Sequence, residues 1–357
     1  MDRWLHICAG DVDLSFDPEI GNIRRFAVAG REILHTAHWV GTPLAATAAS
    51  AIDRHLAGDF LAAPFGTSDL LDDPPHGWSA NSLWAPVVRA GNGACATLKL
   101  ELIRAVMGAR LSKELSICAG QPVLYQRHRI EGGQGGLTYA HHPMIRVSPG
   151  DHIAYSPKRV AVTAPAPLEP AHRLAYPARS ADLSAFPAAD GGTIDLTRYS
   201  DRAGHEDFVT LVEAAARGIG WTAVSRVREH DIVIFLKDIA MMPVTMLWIS
   251  NGGRDYAPWN GEHLGVLGVE DGCAAGAEGH RAALSGRSRI GCEGVVTSQQ
   301  LLEEAGFTLR HAIAVLPQPA GWTGTANVEI SRDQCRVTGR GGETCQVAFN
   351  GAFFTAG

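Results

Sequence analysis

The sequence predicts an all-β protein, organised as a large β-sandwich with a few short helices. Short segments in which apolar and polar residues alternate recur along the chain, and this period of two is typical of strands with one buried face. The 357 residues include 40 glycines and 19 prolines, which suit short strands joined by frequent turns. The strand–helix alternation expected of a doubly wound sheet is absent. The predicted strands are residues 23–28, 96–103, 122–130, 137–147, 232–236, 244–249, 265–269, 309–315 and 326–330.

Two segments have a helical pattern. Residues 298–305 predict a short helix capped by Ser298, and residues 205–217 predict a longer one. The longer segment has apolar residues at the spacing of one helix face, namely Phe208, Leu211, Val212 and Ala215. Residues 165–187 contain five prolines and many alanines, which we interpret as a long surface connection. Neither half of the chain has a self-contained pattern, so residues 1–357 are predicted to form a single domain.

Charge and hydropathy argue against several classes of function. The formal net charge is −6 with histidines neutral, and the chain has no basic stripe, so no nucleic-acid partner is expected. The longest apolar run, residues 239–249, is too short to span a bilayer, so no membrane partner is expected. The N-terminus lacks a basic segment followed by an apolar stretch, which argues against a signal peptide.

The seven cysteines form an odd, scattered set without a C-x-x-C pair. This pattern favours buried thiols in a reducing cytosol over a disulfide framework. We therefore predict free cysteines and a cytoplasmic protein. The positions are Cys8, Cys95, Cys118, Cys273, Cys292, Cys335 and Cys345.

Several familiar catalytic motifs fail on their context. Residues 77–81 lack the closing glycine of a nucleophile elbow, and the glycine-rich residues 132–136 join two predicted strands, which indicates a hairpin loop. His205 has no second histidine at the zincin spacing. His141 and His142 are successive strand residues that point to opposite faces, so they cannot easily converge on one metal ion.

The predicted strand 137–147 carries the first candidate site residues. One face is apolar apart from His141, which we interpret as a hydrogen-bonded structural residue. The other face is mixed, so His142 and Arg146 on that face are candidates to line a ligand cleft. Pro143 has no N–H for a ladder, which predicts a local irregularity of the kind often found at ligand sites.

Two turn-rich stretches and one late strand supply further candidates. Residues 58–66 and 74–81 combine aromatic and polar side chains, which suit the C–H faces and hydroxyls of a sugar. The candidates there are Asp59, Phe65, His76 and Asn81. Residues 259–272 add Trp259 and Glu270. Glu270 is predicted to end an apolar strand beside Gly268, where partial desolvation would raise the pKa of its carboxyl toward that of a useful base. Asp271 and Glu262 compete for that role.

Taken in order, these segments resemble the galactose mutarotase-like superfamily, in its aldose 1-epimerase-like branch. The motifs are G-D-F-x-x-x-P-F-G at residues 58–66, H-G at 76–77, H-P-x-I at 142–145 and V-E-D at 269–271. Residues 14–23 also resemble the first hairpin of that superfamily. The resemblance implies a β-supersandwich that holds a sugar in a groove across one concave sheet.

The resemblance also implies roles for individual residues. His142 would be the general acid, Glu270 the general base, and His76 a second histidine that binds and orients the sugar. The family uses an aspartate to hold a sugar hydroxyl; Asp255 is the candidate here, with Asp201 and Asp207 as alternatives.

Anomer exchange removes a proton from the anomeric hydroxyl and delivers one to the ring oxygen, which needs neither metal nor cofactor. The expected activity is that of an isomerase of carbohydrate metabolism. Two other functions stay open, a non-catalytic saccharide-binding protein and a lyase or hydrolase on the same scaffold. The identity of the sugar and the oligomeric state are not predicted.

Overall fold

A computed structural model describes residues 4–67, 69–200 and 202–355 of the chain. The strands in these ranges are β1 Leu5–Ala9, β2 Val12–Asp17, β3 Asn22–Val28, β4 Arg31–Glu32, β5 Asp59–Ala62, β6 Trp84–Gly91, β7 Cys95–Leu102, β8 Ala109–Cys118, β9 Gln121–Gly132, β10 Gly135–Leu137, β11 Tyr139–His141, β12 Met144–Arg146, β13 His152–Tyr155, β14 Lys158–Val162, β15 Arg179–Ser180, β16 Phe186–Pro187, β17 Thr193–Ile194, β18 His205–Glu213, β19 Ile219–Arg226, β20 Asp231–Asp238, β21 Val244–Asn251, β22 Val266–Cys273, β23 Gln299–Leu301, β24 Gly306–Pro317, β25 Thr325–Ile330, β26 Gln334–Gly339 and β27 Thr344–Ala348. Short α-helices are α1 Ala51–Arg54, α2 Gly279–Ser285 and α3 Ala352–Thr355, and single 3₁₀ turns cover Pro43–Thr47, Trp78–Ala80, Gly276–Glu278 and Gly291–Glu293.

Two large antiparallel sheets form the body of the described chain. The first has twelve strands in the order β1-β2-β3-β5-β11-β22-β21-β18-β14-β15, with β4 added beside β3 and β12 beside β22. The second has eight strands in the order β13-β19-β20-β24-β9-β8-β7-β6. Smaller sheets pair β10 with β23, β16 with β17, and β25 with β26 and β27. The predicted all-β class with a few short helices is confirmed.

Apolar side chains pack in three clusters, because both large sheets are covered on both faces. The interior core lies between the sheets and joins Leu247 and Val269 of the first to Leu98 and Phe235 of the second. An outer cluster lies on the far face of the twelve-stranded sheet and contains Trp39, Phe60, Met144, Trp248 and Trp259. A third cluster lies on the far face of the eight-stranded sheet, beneath β25–β27 and α3. Each large apolar side chain removed from water contributes roughly 1.5–3 kcal/mol to folding.

The nine predicted strand segments all coincide with strands of the structure, but both predicted helices are wrong. Residues 205–213 form β18, which pairs with β21 along its whole length. Every residue of β18 is buried, because the strand lies in the middle of a sheet with a cluster on each face. Phe208 and Val212 therefore enter the outer cluster while Leu211 enters the interior core, and their spacing imitates a helix face. Residues 299–301 form β23, which pairs with β10.

The segment around Pro143 is irregular, as its missing N–H predicts. β11 ends at His141 and β12 begins at Met144, and both pair with β22. Residues 165–187 are more than a surface connection, since Leu174 and Ala178 are buried in the interior core. The single-domain organisation stays a prediction.

The cysteine prediction is wrong for one pair. Cys95 and Cys118 form a disulfide between β7 and β8, where the hairpin register places them directly opposite each other with Cα atoms 4.0 Å apart. Cys8 and Cys292 are exposed rather than buried. The cytoplasmic location stays a prediction and loses the support of the cysteine pattern. None of the described helices combines the length and apolar character needed to cross a membrane.

The disulfide predicts a specific count of reactive thiols. Protein unfolded in denaturant without reductant should show five thiols per chain in a colorimetric thiol assay, since five cysteines are free. The same sample should show all seven after reduction. The variant Cys95→Ser should show six without reductant, because its Cys118 has lost its partner. Seven thiols in unreduced wild-type protein would contradict the pairing.

Candidate functional site

A cavity opens on the far face of the twelve-stranded sheet, within the outer cluster. A volume of about 180 Å³ is open to the centres of water-sized molecules, within about 800 Å³ of space that includes the open mouth. Its polar lining includes His76, His142, Arg254 and Glu270, and its aromatic lining includes Phe65, Trp248 and Trp259. Of the nine predicted site residues, the structure thus brings together His76, His142, Glu270, Phe65 and Trp259.

His142 and Glu270 make direct contact at the floor of the cavity. The Nε2 atom of His142 lies 3.1 Å from the Oε1 atom of Glu270. Glu270 lies within β22 rather than at its end, and alternation along the strand sends its side chain to the cavity while Val269 enters the interior core. A Cβ atom at Gly268 would lie 3.3 Å from Glu270 Oε1, so the glycine leaves room for the carboxylate.

Aromatic rings fix the orientation of the His142 imidazole. The ring stacks on Phe60 with centroids 4.5 Å apart and an interplanar angle of 16°. Trp248 and His76 contact it edge-on, at 5.4 Å and 5.3 Å. The Nδ1 atom of His142 is buried and has no hydrogen-bond partner among the described residues, so it is available to a ligand or to water.

His76 lies on a loop whose backbone is tightly constrained. His76 has φ +65°, and Gly77 has φ +68° with no room for a side chain, since a Cβ atom would lie 2.0 Å from the Ala63 carbonyl oxygen. The His76 N–H donates to the Gly66 carbonyl at 2.8 Å, and the His76 carbonyl accepts from the Ala63 N–H at 3.2 Å. These contacts aim the imidazole at the cavity beside Phe65.

Burial shifts the proton affinities of the three site residues. Desolvation raises the pKa of the Glu270 carboxyl well above its ordinary value, although Arg254 acts in the opposite direction. Desolvation, with a smaller contribution from His76, lowers the pKa of His142 to about 3. Desolvation likewise lowers the pKa of His76 to about 4. Both shifts favour the form of the pair in which His142 and Glu270 are uncharged and hold one proton between them.

Arg254 is a cavity residue that the sequence reasoning missed. Its guanidinium lies over the Trp259 ring at 4.3 Å and near the Trp248 ring at 5.6 Å. Its Nε atom is 3.0 Å from Glu169 Oε1 and 3.3 Å from Glu206 Oε1. The predicted neighbour Asp255 is exposed and does not line the cavity, so the turn after β21 contributes Arg254 rather than Asp255.

Three other predicted contacts are corrected by the structure. Asp59 is fully buried on the interior side of the sheet, where alternation along β5 directs it. Asn81 holds the loop together, since its amide donates to the Pro75 and Gly77 carbonyls. Arg146 is exposed, with its guanidinium bonded to the Leu264 carbonyl.

The alternative acids that the structure describes are also away from the cavity. Asp271 faces the interior, where it contacts Lys237 and His311. Glu262 is exposed beside His38. Asp207 accepts hydrogen bonds from the backbone of residues 173 and 174, and Asp201 lies outside the described residues.

One group in the described ranges could hold a metal ion, and it lies in the interior core rather than in the cavity. It consists of Asp59, His141 and His311, whose ligand atoms lie within 4.8 Å of one another. His141 and His142 point to opposite sides of the sheet, so the two imidazoles do not converge.

Comparisons with known proteins find similarity in structure but not in sequence. No family model matches the chain, and no curated protein sequence is significantly similar to it. A candidate mutarotase from Salmonella typhimurium has 13% identity and a TM-score of 0.60, with 89% of this chain and 92% of that one covered. A candidate aldose 1-epimerase from Escherichia coli K12 has 15% identity and a TM-score of 0.57, with coverage of 88% and 99%. A galactose mutarotase related enzyme from Lactobacillus acidophilus has 12% identity and a TM-score of 0.57, with coverage of 89% and 98%.

These likenesses define the class of the protein by its architecture. The chain has the galactose mutarotase-like fold, a β-supersandwich, as the motif order predicts. At such low identities the comparisons show the fold alone, and the activity has to be argued from the site.

Buried histidines predict that acid destabilises the protein. Each binds its proton near pH 6.5 when unfolded but only at much lower pH when folded, so the unfolded state binds more protons between about pH 6.5 and 4. The free energy of unfolding should therefore decrease as the pH is lowered from 6.5 to 4, by up to about 1.4 kcal/mol per pH unit for each histidine. Desolvation lowers the pKa to about 4 for His35, His76 and His141, to about 3 for His142, and well below the ordinary value for His128 and His263.

Urea unfolding curves at pH 7, 6, 5 and 4 measure this dependence. Glu270, whose pKa is raised, opposes the trend because its contribution is lost as pH rises, and the raised pKa values of Asp151, Glu206 and Glu278 act in the same way. These four carboxyls are fewer than the six buried histidines. A free energy of unfolding that stays constant or increases as the pH is lowered from 6.5 to 4 would contradict the neutral state of these histidines.

Proposed function

We propose that the protein is an isomerase of the aldose 1-epimerase type, which interconverts the anomers of a sugar by general acid–base ring opening. The observation that carries the proposal is the 3.1 Å contact between His142 Nε2 and Glu270 Oε1 on the floor of an open cavity. A carboxyl and an imidazole this close together can each reach one of two oxygens that are bonded to the same carbon. At an anomeric centre these are the hydroxyl oxygen and the ring oxygen.

The roles follow from the proton requirements of the reaction. Glu270 takes the proton of the anomeric hydroxyl, and His142 gives a proton to the ring oxygen, which opens the ring. The aldehyde then rotates, and the reverse transfers close the ring on its other face. The acting form, a carboxylate beside an imidazolium, holds the same single proton as the neutral pair of the empty cavity. The cycle therefore returns the pair to its starting state without a cofactor.

The cavity walls favour a sugar as the ligand. Trp248, Trp259 and Phe65 give the cavity an aromatic lining, which suits the C–H groups of a pyranose ring. His76 Nδ1 is buried without a partner among the described residues and lines the same cavity, so it can bond a sugar hydroxyl. The structural neighbours named as mutarotases or aldose 1-epimerases agree with this choice of substrate class.

Removing either member of the pair should abolish turnover. Glu270→Gln cannot accept the hydroxyl proton, and His142→Asn cannot donate one, so each should slow anomer exchange by about 10²- to 10⁴-fold. Polarimetry of freshly dissolved α-aldoses, supported by NMR exchange spectroscopy, measures the rate. Glu262→Gln is the matched control, because Glu262 is an exposed acid in the loop before β22 and does not line the cavity. It should keep the wild-type rate.

Three results would count against the proposal. Wild-type protein that accelerates no sugar in a broad panel of free and phosphorylated aldoses would contradict it. Saccharide binding without acceleration would indicate a non-catalytic binding protein instead. Release of a new reducing end or an unsaturated product from a larger saccharide would indicate a hydrolase or a lyase.

The pH dependence of kcat/KM should differ from that of an ordinary histidine enzyme. The pair is active with one proton, so activity is lost at the acid side only when His142 takes up a second one, and burial lowers that pKa to about 3. Between pH 7 and 5, kcat/KM should therefore show no acid limb. The alkaline limb should follow the raised pKa of Glu270. An acid limb centred near pH 6.5 would contradict the neutral pair.

A further inference from the structure

Each residue of the proposed catalytic pair has a chain neighbour that faces the interior core. His141 precedes His142, Asp271 follows Glu270, and both neighbours are buried between the two large sheets. His311 of β24 joins them, because its ring stacks on His141 with centroids 4.3 Å apart and its Nε2 lies 3.2 Å from Asp271 Oδ2. The segments that carry the pair are thus connected twice. His142 contacts Glu270 in the cavity, and His311 joins His141 to Asp271 on the interior side of the sheet.

Asp59 links this lower connection to the backbone of His142. Its Oδ1 atom accepts the His142 N–H at 2.9 Å, a hydrogen that the Phe60 carbonyl also accepts at 3.0 Å. Its Oδ2 atom accepts from the Gln126 amide at 2.5 Å and lies 3.2 Å from His141 Nδ1. The Asp59 carboxylate therefore holds the His142 peptide with one oxygen and contacts Gln126 and His141 with the other. Below, the buried layer means Asp59, His141, His311 and Asp271 with the charged side chains that they or their partners contact.

His142 needs this contact because the sheet ladder is interrupted there. β11 ends at His141, Pro143 has no N–H, and β12 begins only at Met144. The His142 peptide lies in the gap, where Asp59 and Phe60 supply its acceptors. A small shift of this peptide would move the imidazole relative to Glu270, and proton transfer is sensitive to such displacements.

The charges around Asp59 favour its ionised form. Burial by itself raises the pKa of Asp59, but His141, His311 and Gln126 lower it to about 2. Lys237 lies 3.0 Å from a carboxylate oxygen on either side of it, one of Glu213 and one of Asp271. Lys158 also contacts Glu213, so both of these buried carboxylates have lysine partners.

A metal ion is the competing interpretation of the same cluster, since Asp59, His141 and His311 have the right ligand types. The two imidazole planes are only 15° from parallel, so their in-plane lone pairs run side by side instead of converging. A divalent ion would also add two positive charges to a region where Lys237 already lies against Asp271, the partner of His311. The geometry therefore favours a hydrogen-bonded layer.

We propose that Asp59 is a positioning residue, which holds the His142 peptide in place from the interior side of the sheet without touching the sugar. The inference rests on the proposed function, in which His142 is the general acid. Asp59, the aspartate of the G-D-F motif, would thus support His142 from behind instead of contacting the sugar directly, as the sequence suggests.

Asp59→Asn tests this role against Glu213→Gln. An amide has one acceptor oxygen where the carboxylate has two, so the substituted side chain cannot accept from both sides. We expect kcat to fall by about 10- to 100-fold, the range seen when a residue that orients a functional group is removed, with KM unchanged within about threefold. Glu213→Gln removes an equally buried charge from the same layer, bonded to Lys158 and Lys237 rather than to His142. It should lower the melting temperature but leave kcat within about threefold of the wild-type value.

NMR of the histidine ring provides a readout that does not need turnover. In protein labelled with ¹³C at the imidazole Cε1, the His142 signal is identified by its loss in His142→Asn. Asp59→Asn should shift that signal, whereas Glu213→Gln should leave it in place. This comparison decides the inference even if no aldose proves to be a substrate. If Asp59→Asn does not fold, Gln126→Met should shift the His142 signal in the same direction, since it removes a donor to Asp59 without changing the charge.

Several results would overturn the positioning role. These are an unshifted His142 signal in Asp59→Asn or Gln126→Met, an equal shift in Glu213→Gln, or a rise in KM that accounts for the loss of kcat/KM. A stoichiometric metal ion in the purified protein would replace the positioning role with a metal site.

Discussion

Neighbouring residues of a β-strand face opposite sides of the sheet, and the candidate site depends on this constraint. In β22 it separates Glu270, in the cavity, from Asp271, in the interior core. Around the break after β11 it separates His142 from His141 in the same way. The residues of the cavity and the residues of its buried support are therefore adjacent in the sequence. A register slip of one residue would exchange the two sets of side chains.

Burial determines the electrostatic character of the cavity as much as the choice of residues does. Solvation stabilises a carboxylate and an imidazolium, whereas apolar surroundings favour the form of the pair in which both groups are uncharged. Phe60, Trp248 and the neighbouring His76 supply those surroundings. The outer cluster thus serves two purposes at once, since it stabilises the sheet and, by desolvation, favours the uncharged form of both groups.

The sequence predicts this site where a simple period or a motif survives, and fails where the signal is three-dimensional. His76, His142 and Glu270 lie in ordered motifs, and the structure brings them together around one cavity. β18 resembles a helix in sequence because a strand buried on both faces loses its period of two. Asp59 lies in a short strand whose facing direction the motif does not disclose, and Arg254 belongs to an irregular turn. The pairing of Cys95 with Cys118 depends on hairpin register, which no local pattern encodes.

The loop that carries His76 behaves as a block in any redesign of the cavity. Its two arms are joined by the hydrogen bonds between Ala63, Gly66 and His76, and position 77 accepts no side chain. Transplanting the histidine alone into a related scaffold would leave it without the backbone that aims it. Residues 63–66 and 76–77 would have to be exchanged as one cassette with residues 69–75, because Asp69 accepts hydrogen bonds from the backbone of His280 and Arg281 and the Pro74 carbonyl accepts one from the Gly77 N–H.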